Sequence, residues 1–308
     1  MESATRPCLR SWSDANRQFT PPLRIAPKPW HPAWTALEPF GSILLLTIFT
    51  EVGYIPTMRH ILFIGVAVFF AAIPLRAMGW VEERQIGPYL IRAEFPLRDT
   101  QNLVHELADL QTDIERQLKL KCEPSEIQIH LFRSRWSYTD YLSKRIPEGT
   151  KRQALFVQGT DAARVYAYRH SGLETDVRHE TTHALLHSAL PFVPIWLDEG
   201  LAEYFEVSPG LREKHNPHRR ELQWAIRLGW RPAIERLEAK HDLLEMDKND
   251  YRDAWGVLHF VLHGPPAARE ALADYFEEVQ SGKPPTPLSK HLRRKIPNLE
   301  QRMIEHLK

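Results

Sequence analysis

Cysteine is scarce in this chain of 308 residues, which contains only Cys8 and Cys122. The two lie far apart in segments of different character, so we expect no disulfide and no cysteine-based metal site. The sequence also lacks a glycine-rich phosphate loop and internal repeats. Its formal net charge is +1, without the basic excess that is typical of nucleic-acid-binding proteins. No nucleic-acid partner is therefore expected.

Long hydrophobic runs are absent as well, since a membrane-spanning helix needs about 20 apolar residues and neither apolar stretch near the N-terminus reaches that length. The stretches are residues 40–50 and 61–75. The second becomes sufficient if Arg59 and Arg76 extend to opposite membrane interfaces. We therefore predict a flexible basic tail at 1–38, a membrane anchor within 39–80, with membrane contact through about 40–78, and a folded domain at 81–308.

The orientation of this anchor has three interpretations. A single span with the basic tail inside places the folded domain outside the cytoplasm, and this is our expectation. A hairpin of both apolar stretches returns the domain to the cytoplasmic side. Translation from Met58 would instead give a signal-like segment and a secreted protein.

Residues 81–308 show the pattern of an α+β domain with a helical C-terminal part. Leucine and isoleucine recur at spacings of three and four between Leu103 and Leu118, which predicts an amphipathic helix. The predicted strands are 89–95, 127–132, 154–158 and 164–169, the last two forming a hairpin. The predicted C-terminal helices are 220–228, 232–240, 251–262, 267–280 and 288–307.

A His-Glu-x-x-His motif at His179, Glu180 and His183 is the most informative feature of the sequence. Residues four apart share one face of a helix, so both imidazoles can be directed at one metal ion with Glu180 beside them. Catalytic zinc sites use three protein ligands and leave a fourth position for water. A third ligand must therefore come from elsewhere in the chain.

Glu199 is the candidate third ligand, and Asp198 is the alternative. Both lie in the segment Trp-Leu-Asp-Glu-Gly-Leu-Ala-Glu-Tyr, which is separated from His183 by a short connection with two prolines. The metzincin pattern would need Gly at position 186 and His at 189, where this chain has Leu186 and Ala189. That class is excluded.

Together the two segments resemble the gluzincin metallopeptidases, the superfamily of thermolysin and the aminopeptidase N-like enzymes, and within it the small peptidase MA-like proteins. The match of Asp198-Glu199-Gly200 to the Asn-Glu-Ala or Asn-Glu-Gly signature supports Glu199 as the zinc ligand. Only fifteen residues separate His183 from Glu199, fewer than in thermolysin, so the connection must be tight. The resemblance implies a zincin-like fold with a small mixed sheet, a hairpin at the sheet edge and the motif helix beside it.

Further roles follow from this resemblance and from the chemistry of such sites. The resemblance implies that Glu203, one helical turn after Glu199, accepts a hydrogen bond from His179, and Asp198 would serve His183 in the same way. The alternative is that Glu203 and Glu206 are ordinary solvated helix residues.

Tyr251 is the candidate oxyanion donor, with packing against the core as its alternative; Arg178 and His259 are weaker candidates. We expect His187 to be structural or solvent-facing rather than a ligand, because the helix has turned about 80° between His179 and His187.

The expected function is peptide hydrolysis with one Zn²⁺ per chain, a zinc-activated water and Glu180 as general base. The partners would be a peptide or protein substrate and the membrane. A catalytically silent protein that binds a peptide in the same cleft is the first alternative. A structural membrane protein with a coincidental motif is the second. The sequence makes no prediction of substrate, oligomeric state or exo- versus endopeptidase action.

Overall fold

A five-stranded mixed sheet forms the N-terminal half of the computed structural model, which describes residues 79–213 and 216–308. The predicted basic tail at 1–38 and the apolar stretches at 40–50 and 61–75 lie outside the described residues. The strands are β1 (Glu82–Ile86), β2 (Tyr89–Ala93), β3 (Ile127–Phe132), β4 (Ala154–Gln158) and β5 (Ala163–Tyr168). Their spatial order is β1-β2-β3-β5-β4. The three central strands run parallel, while β1 and β4 are antiparallel to their neighbours at the two edges.

Helices connect and follow these strands. Those within the sheet region are α1 (Gln101–Leu118) and α2 (Arg135–Ser143). After the sheet come α3 (Leu173–Ala189), α4 (Ile195–Phe205), α5 (Pro217–Arg227), α6 (Ile234–Glu238), α7 (Lys248–His263), α8 (Pro266–Gln280), α9 (Leu288–Lys295) and α10 (Leu299–Leu307). Short 3-10 turns occur at Leu97–Thr100, Pro147–Lys151 and Leu243–Glu245.

Alternation along the central strands divides the apolar residues between two cores. In β3, Ile129 and Leu131 are buried in the larger core, which also contains residues of α1, α3 and all later helices. Phe132 points to the opposite face, where it packs with Tyr138 of α2 and Tyr166 of β5 in a smaller, aromatic core. Because side chains alternate across a sheet, one strand serves both cores. The motif helix α3 lies on the larger-core side.

Helices α4 and α7 approach closely at Gly200. A Cβ placed there would lie 3.2 Å from the Cβ of Ala254 and 3.1 Å from Cδ2 of Leu258. Because even a methyl group would crowd this contact, the glycine of the Asp-Glu-Gly segment has a packing reason. The close contact holds α4, with Glu199, firmly against α7.

The predicted α+β class, with a mixed sheet and an edge hairpin, is confirmed by this architecture. The hairpin forms as expected from β4 and β5. Three elements differ from the sequence prediction: β1 and α2 were not anticipated, and the predicted helix 288–307 divides into α9 and α10. The break follows from Pro297, which disfavours helical backbone before it, and from Asn298, which adopts a left-handed φ of 53°.

Two further expectations concern cysteine and the membrane. Cys122 is a free, buried thiol, whereas Cys8 lies outside the described residues. Within 79–213 and 216–308, no helix combines the length and apolarity that crossing a membrane requires.

Candidate metal centre

Helix α3 presents the two histidines of the motif on one face. The rings of His179 and His183 meet edge to face, with centroids 4.9 Å apart and an interplanar angle of 77°. Glu174 and Asp176 lie in the first turn of the helix, where negative charge favourably opposes the helix dipole. The predicted helical spacing of the two imidazoles is therefore present.

Helix α4 brings Glu199 to these histidines. Its Oε2 lies 3.5 Å from Nε2 of His179, and its Oε1 lies 3.9 Å from Nε2 of His183. One donor atom from each of the three residues falls within 4.8 Å of the others. Glu199 and His183 are both buried. The short connection after His183, which ends at Pro194 before α4, is thus sufficient to bring the carboxylate back onto the motif helix.

The remaining ring nitrogens of both histidines are held by carboxylates. Nδ1 of His183 lies 2.9 Å from Oδ1 of Asp198, the partner that the sequence suggested. Nδ1 of His179 lies 2.9 Å from Oε2 of Glu206. A carboxylate at Nδ1 favours the tautomer with its proton there, which leaves the Nε2 lone pair free for a metal. Both Nε2 atoms point towards Glu199.

Glu203 was the wrong partner for His179. Its Oε2 instead lies 2.9 Å from Nε2 of His218. The reason is helical geometry: four residues turn a helix about 40° past a full turn, whereas seven residues return to within about 20°. Glu206 therefore stays nearer the stripe that begins at Glu199 than Glu203 does. Arg178 also donates from Nε to the carbonyl of Glu206, which fixes this end of α4 against α3.

Asp198 bridges two histidines of α3. Its Oδ2 lies 2.8 Å from Nε2 of His187, while Oδ1 serves His183. Asp198, His183 and His187 form a second group with closely spaced donor atoms. Because both Asp198 oxygens are engaged with ring nitrogens away from Glu199, this carboxylate is suited to orienting His183. His187 thus contacts Asp198, which agrees with the structural role expected from its position on the helix.

Glu180 is held by the edge strand of the sheet. Its Oε2 accepts a hydrogen bond of 2.8 Å from the backbone N–H of Phe156 in β4. Phe156 pairs with Val165 across the hairpin, yet its N–H points away from β5. In an antiparallel pair the N–H and C=O of one residue point to the same side, so the Phe156 carbonyl also belongs to the free edge. The motif glutamate therefore lies directly beside a strand edge that no other strand of the described residues pairs with.

Negative charge dominates the electrostatics of this centre. Burial disfavours charge on His179, but hydrogen bonds with Glu199 and Glu206 and the charges of Glu199 and Glu180 outweigh it and hold the pKa of His179 well above its ordinary value. Burial likewise opposes charge on His183, and Asp198 raises its pKa. Burial would raise the pKa of Asp198, yet His183 and His187 hold it well below its usual range. The carboxylates thus favour positive charge at the centre.

The donor set fits zinc. Two imidazole nitrogens and one carboxylate oxygen are the ligands of one known class of catalytic zinc site, and the supporting carboxylates add the negative charge that a dication requires. A third group of close donors, formed by His179, Glu203 and Glu206, overlaps the first at His179. His179 cannot serve both groups with the same nitrogen. The group with Glu199 uses the Nε2 atoms that the supporting carboxylates leave free.

Of the three oxyanion candidates, Tyr251 fits best. It is the fourth residue of α7, whose N-terminus has a capping box formed by Asp247 and Asp250. Burial, and then the negative charges of Glu199, Glu203 and Glu180, raise the pKa of Tyr251 against the opposing effect of Arg152. Its phenol is therefore within electrostatic reach of the centre and remains a proton donor at neutral pH. Tyr251 also packs against the larger core, as its alternative interpretation required.

The other two candidates are engaged elsewhere. Arg178 is 4% exposed and pairs with Glu106 of α1. His259 lies 2.9 Å from His306 and 3.0 Å from the carbonyl of Glu213. Neither side chain is directed at Glu199 by these contacts.

Comparison with solved structures gives a distant similarity. No family model and no curated protein matches the sequence. The chain is similar to an M1 zinc metallopeptidase from Deinococcus radiodurans, with 17% identity and a TM-score of 0.42, over 75% of this chain and 51% of that chain. The chain thus spans about half the length of that protein. A similarity of this size assigns neither family nor activity, so the functional argument depends on the site itself.

Sequence reasoning missed two contributors to the centre, Glu206 and Phe156. The i+7 spacing between Glu199 and Glu206 was available as a signal, since it keeps both carboxylates on one helical face. The contact of Phe156 with Glu180 had no signal in the sequence. A backbone N–H carries no residue preference, and only the position of β4 brings it to α3.

Proposed function

We propose that this protein is a zinc-dependent peptidase. The observation that carries the proposal is the convergence of His179, His183 and Glu199, with both Nε2 atoms freed by carboxylates at Nδ1. Glu180 lies on the same helix, next to the open edge of β4. Metal-assisted hydrolysis of an extended peptide uses a metal centre, an adjacent base and a strand edge. The site contains residues for all three.

In this proposal His179, His183 and Glu199 hold the metal. When bound, zinc would lower the pKa of a ligated water and polarise the scissile carbonyl. Glu180 accepts a proton from the water while the water oxygen forms a bond to the carbonyl carbon. Glu180 then returns that proton to the amide nitrogen as the C–N bond breaks, which yields a carboxylic acid and an amine. Tyr251 would donate a hydrogen bond to the developing oxyanion.

The substrate would bind as an added strand on β4. Such pairing uses backbone groups of a sheet edge, and β4 is an edge strand whereas β5 is paired on both sides. Of the two arms of the hairpin, we therefore propose β4 as the one that pairs with the substrate. The Phe156 carbonyl would accept from the substrate backbone near the base Glu180. The substrate class is therefore an extended peptide.

The proposal includes attachment to a membrane through residues about 40–78, with the catalytic domain outside the cytoplasm. It is supported by the apolarity of residues 61–75 and by the basic residues that precede them. A catalytically silent binding protein is the alternative. The presence of all three ligands and of the base argues against it, because loss of catalysis commonly leaves one of them replaced.

The test combines zinc content with cleavage. The purified protein should contain one zinc per chain, and Glu199→Ala should lose or loosen it. A peptide-library screen should then show cleavage by the wild type that Glu180→Gln abolishes while zinc is retained. Glu174→Gln, on the same helix but outside the centre, is the matched control and should retain both zinc and cleavage.

Two outcomes would separate the alternatives. A folded wild type that takes up no zinc overturns the metal centre and the peptidase together. Zinc binding with peptide binding but no cleavage by the wild type supports the silent binding protein.

A further inference from the structure

The outer face of α5 carries apolar side chains that the fold leaves exposed. On its inner face Leu222 and Ile226 are buried in the larger core. On the outer side Trp224 is 61% exposed, and Leu228, the residue that ends the helix, is 86% exposed. These are among the most exposed large apolar side chains of the described residues. Their position requires a physical explanation.

The end of α5 is rigidly fixed. The N–H of Trp230 donates to the carbonyl of Ala225 at 2.9 Å, and that of Gly229 donates to Ile226 at 3.0 Å. Gly229 has a φ of +94°, so this is the Schellman arrangement that closes helix ends. The indole N–H of Trp230 also donates to Asp253 of α7 at 3.1 Å. A capped and anchored helix end therefore presents Trp224 and Leu228 to solvent.

Three arginines lie on or just after the helix that carries these two side chains. Arg220, Arg227 and Arg231 are exposed, and none forms an ion pair with a carboxylate of the described residues. The Arg227 guanidinium lies 5.1 Å from the Trp224 ring centroid. We call the set of Arg220, Trp224, Arg227, Leu228 and Arg231 the α5 outer face.

The acidic residue of α5 is engaged by a lysine. Glu221, the acidic residue of α5, is bonded to Lys248 at 2.8 Å on the neighbouring helix. Three guanidinium groups without a carboxylate partner among the described residues thus share this part of the chain with one indole and one leucine, and Arg231 donates only to the backbone carbonyls of Gly229 and Trp230. This charge pattern is complementary to a surface of closely spaced anions with an apolar layer beneath it.

An anionic lipid surface has that chemistry. Arginine forms paired hydrogen bonds with phosphate oxygens, and tryptophan partitions to the level of the headgroups, where its ring is apolar and its N–H is solvated. A helix with a basic rim and an apolar centre lies in the plane of such an interface. We propose that the α5 outer face docks on an anionic lipid surface. This inference is independent of the proposed peptidase activity.

A probe at one position tests the docking locally, which matters because the full chain has a second predicted membrane contact near its N-terminus. An environment-sensitive thiol dye is attached to Leu228→Cys in a Cys8→Ser background of the full chain. The remaining thiol of Cys122 is 3% exposed, and burial raises its pKa to about 12, so the dye does not label it. Trp136→Cys is the matched control, since Trp136 is a 72% exposed side chain on α2.

The labelled chains are mixed with vesicles of phosphatidylcholine alone, or with added phosphatidylserine. We expect a blue shift and a fluorescence rise at position 228 with phosphatidylserine, weakened by salt, and no change at position 136. Replacing all three arginines by glutamine should lower the partition coefficient at this face by about 100-fold, from about fivefold per arginine. Trp224→Ala should lower it by roughly tenfold.

Three results would overturn the proposal. The first is an unchanged probe at position 228 on chains that float with anionic vesicles. The second is an equal shift with phosphatidylcholine alone, which would remove the role of the arginines. The third is a shift without vesicles that depends on protein concentration, which would assign the face to a second copy of the chain. The changed positions on α2, on α5 and just after α5 are exposed, so thermal unfolding of these variants should match that of the wild type.

Discussion

Glu206→Gln should weaken zinc binding much more than Glu203→Gln, because the structure assigns to Glu206 the carboxylate at Nδ1 of His179. Glutamine is nearly isosteric with glutamate but has no charge. The 2.9 Å contact from His179 would change from a charge-assisted hydrogen bond to a neutral one. Carboxylates that orient a metal-binding histidine contribute about 10- to 100-fold in affinity, or about 1.4–2.8 kcal/mol. We expect Glu206→Gln to fall in this range.

Glu203→Gln is the matched comparison, since it is the same change three residues earlier on α4. Glu203 is bonded to His218 and acts on His179 only through its charge. We expect a loss of less than about threefold in zinc affinity, as for charges without direct contact. Competition with a fluorescent chelator measures the affinities, and thermal unfolding of the metal-free proteins checks that both variants fold. A larger loss for Glu203→Gln would refute the assignment of His179 to Glu206.

Three further predictions concern catalysis, packing and pH. Tyr251→Phe should lower kcat for peptide cleavage by about 100-fold with zinc content unchanged; an unchanged kcat would leave Tyr251 a packing residue. Gly200→Ala should reduce the free energy of unfolding by about 1 kcal/mol in denaturant titrations, because overpacking of about 2 kcal/mol exceeds a helix-propensity gain of about 1 kcal/mol. Gly210→Ala, with no atom near its Cβ position, should be neutral in the same assay. Burial lowers the pKa of His259 from 6.5 to about 4, so the unfolded chain binds the extra proton first as pH falls. Stability should therefore be lost between about pH 6.5 and 4, by up to about 3 kcal/mol, and His259→Gln should flatten this slope.

Local rules were sufficient for much of this protein. The motif helix, the amphipathic helix α1, strand β3 and the β4–β5 hairpin follow from periodicity and turn residues, which depend on neighbours in sequence. Helical spacing predicted that His179 and His183 share one face, whereas Glu199 was chosen over Asp198 from the resemblance of the Asp-Glu-Gly segment to a known signature. Strand β1 was not predictable in the same way, since the polar sequence Glu82–Ile86 lacks apolar alternation and is a strand through its pairing with β2.

Tertiary structure decided what depends on how elements pack against one another. Helical spacing put Glu206 nearer than Glu203 to the Glu199 side of α4, but only the packing of α4 against α3 brought that side to Nδ1 of His179. The sequence likewise determined the β4–β5 hairpin. The order of strands in the sheet then placed β4 at the edge, with the backbone N–H of Phe156 beside Glu180. Side-chain spacing is encoded locally in the chain, whereas helix crossing angles and strand order arise from burial of the whole core. Contacts between elements therefore become visible only in the folded molecule.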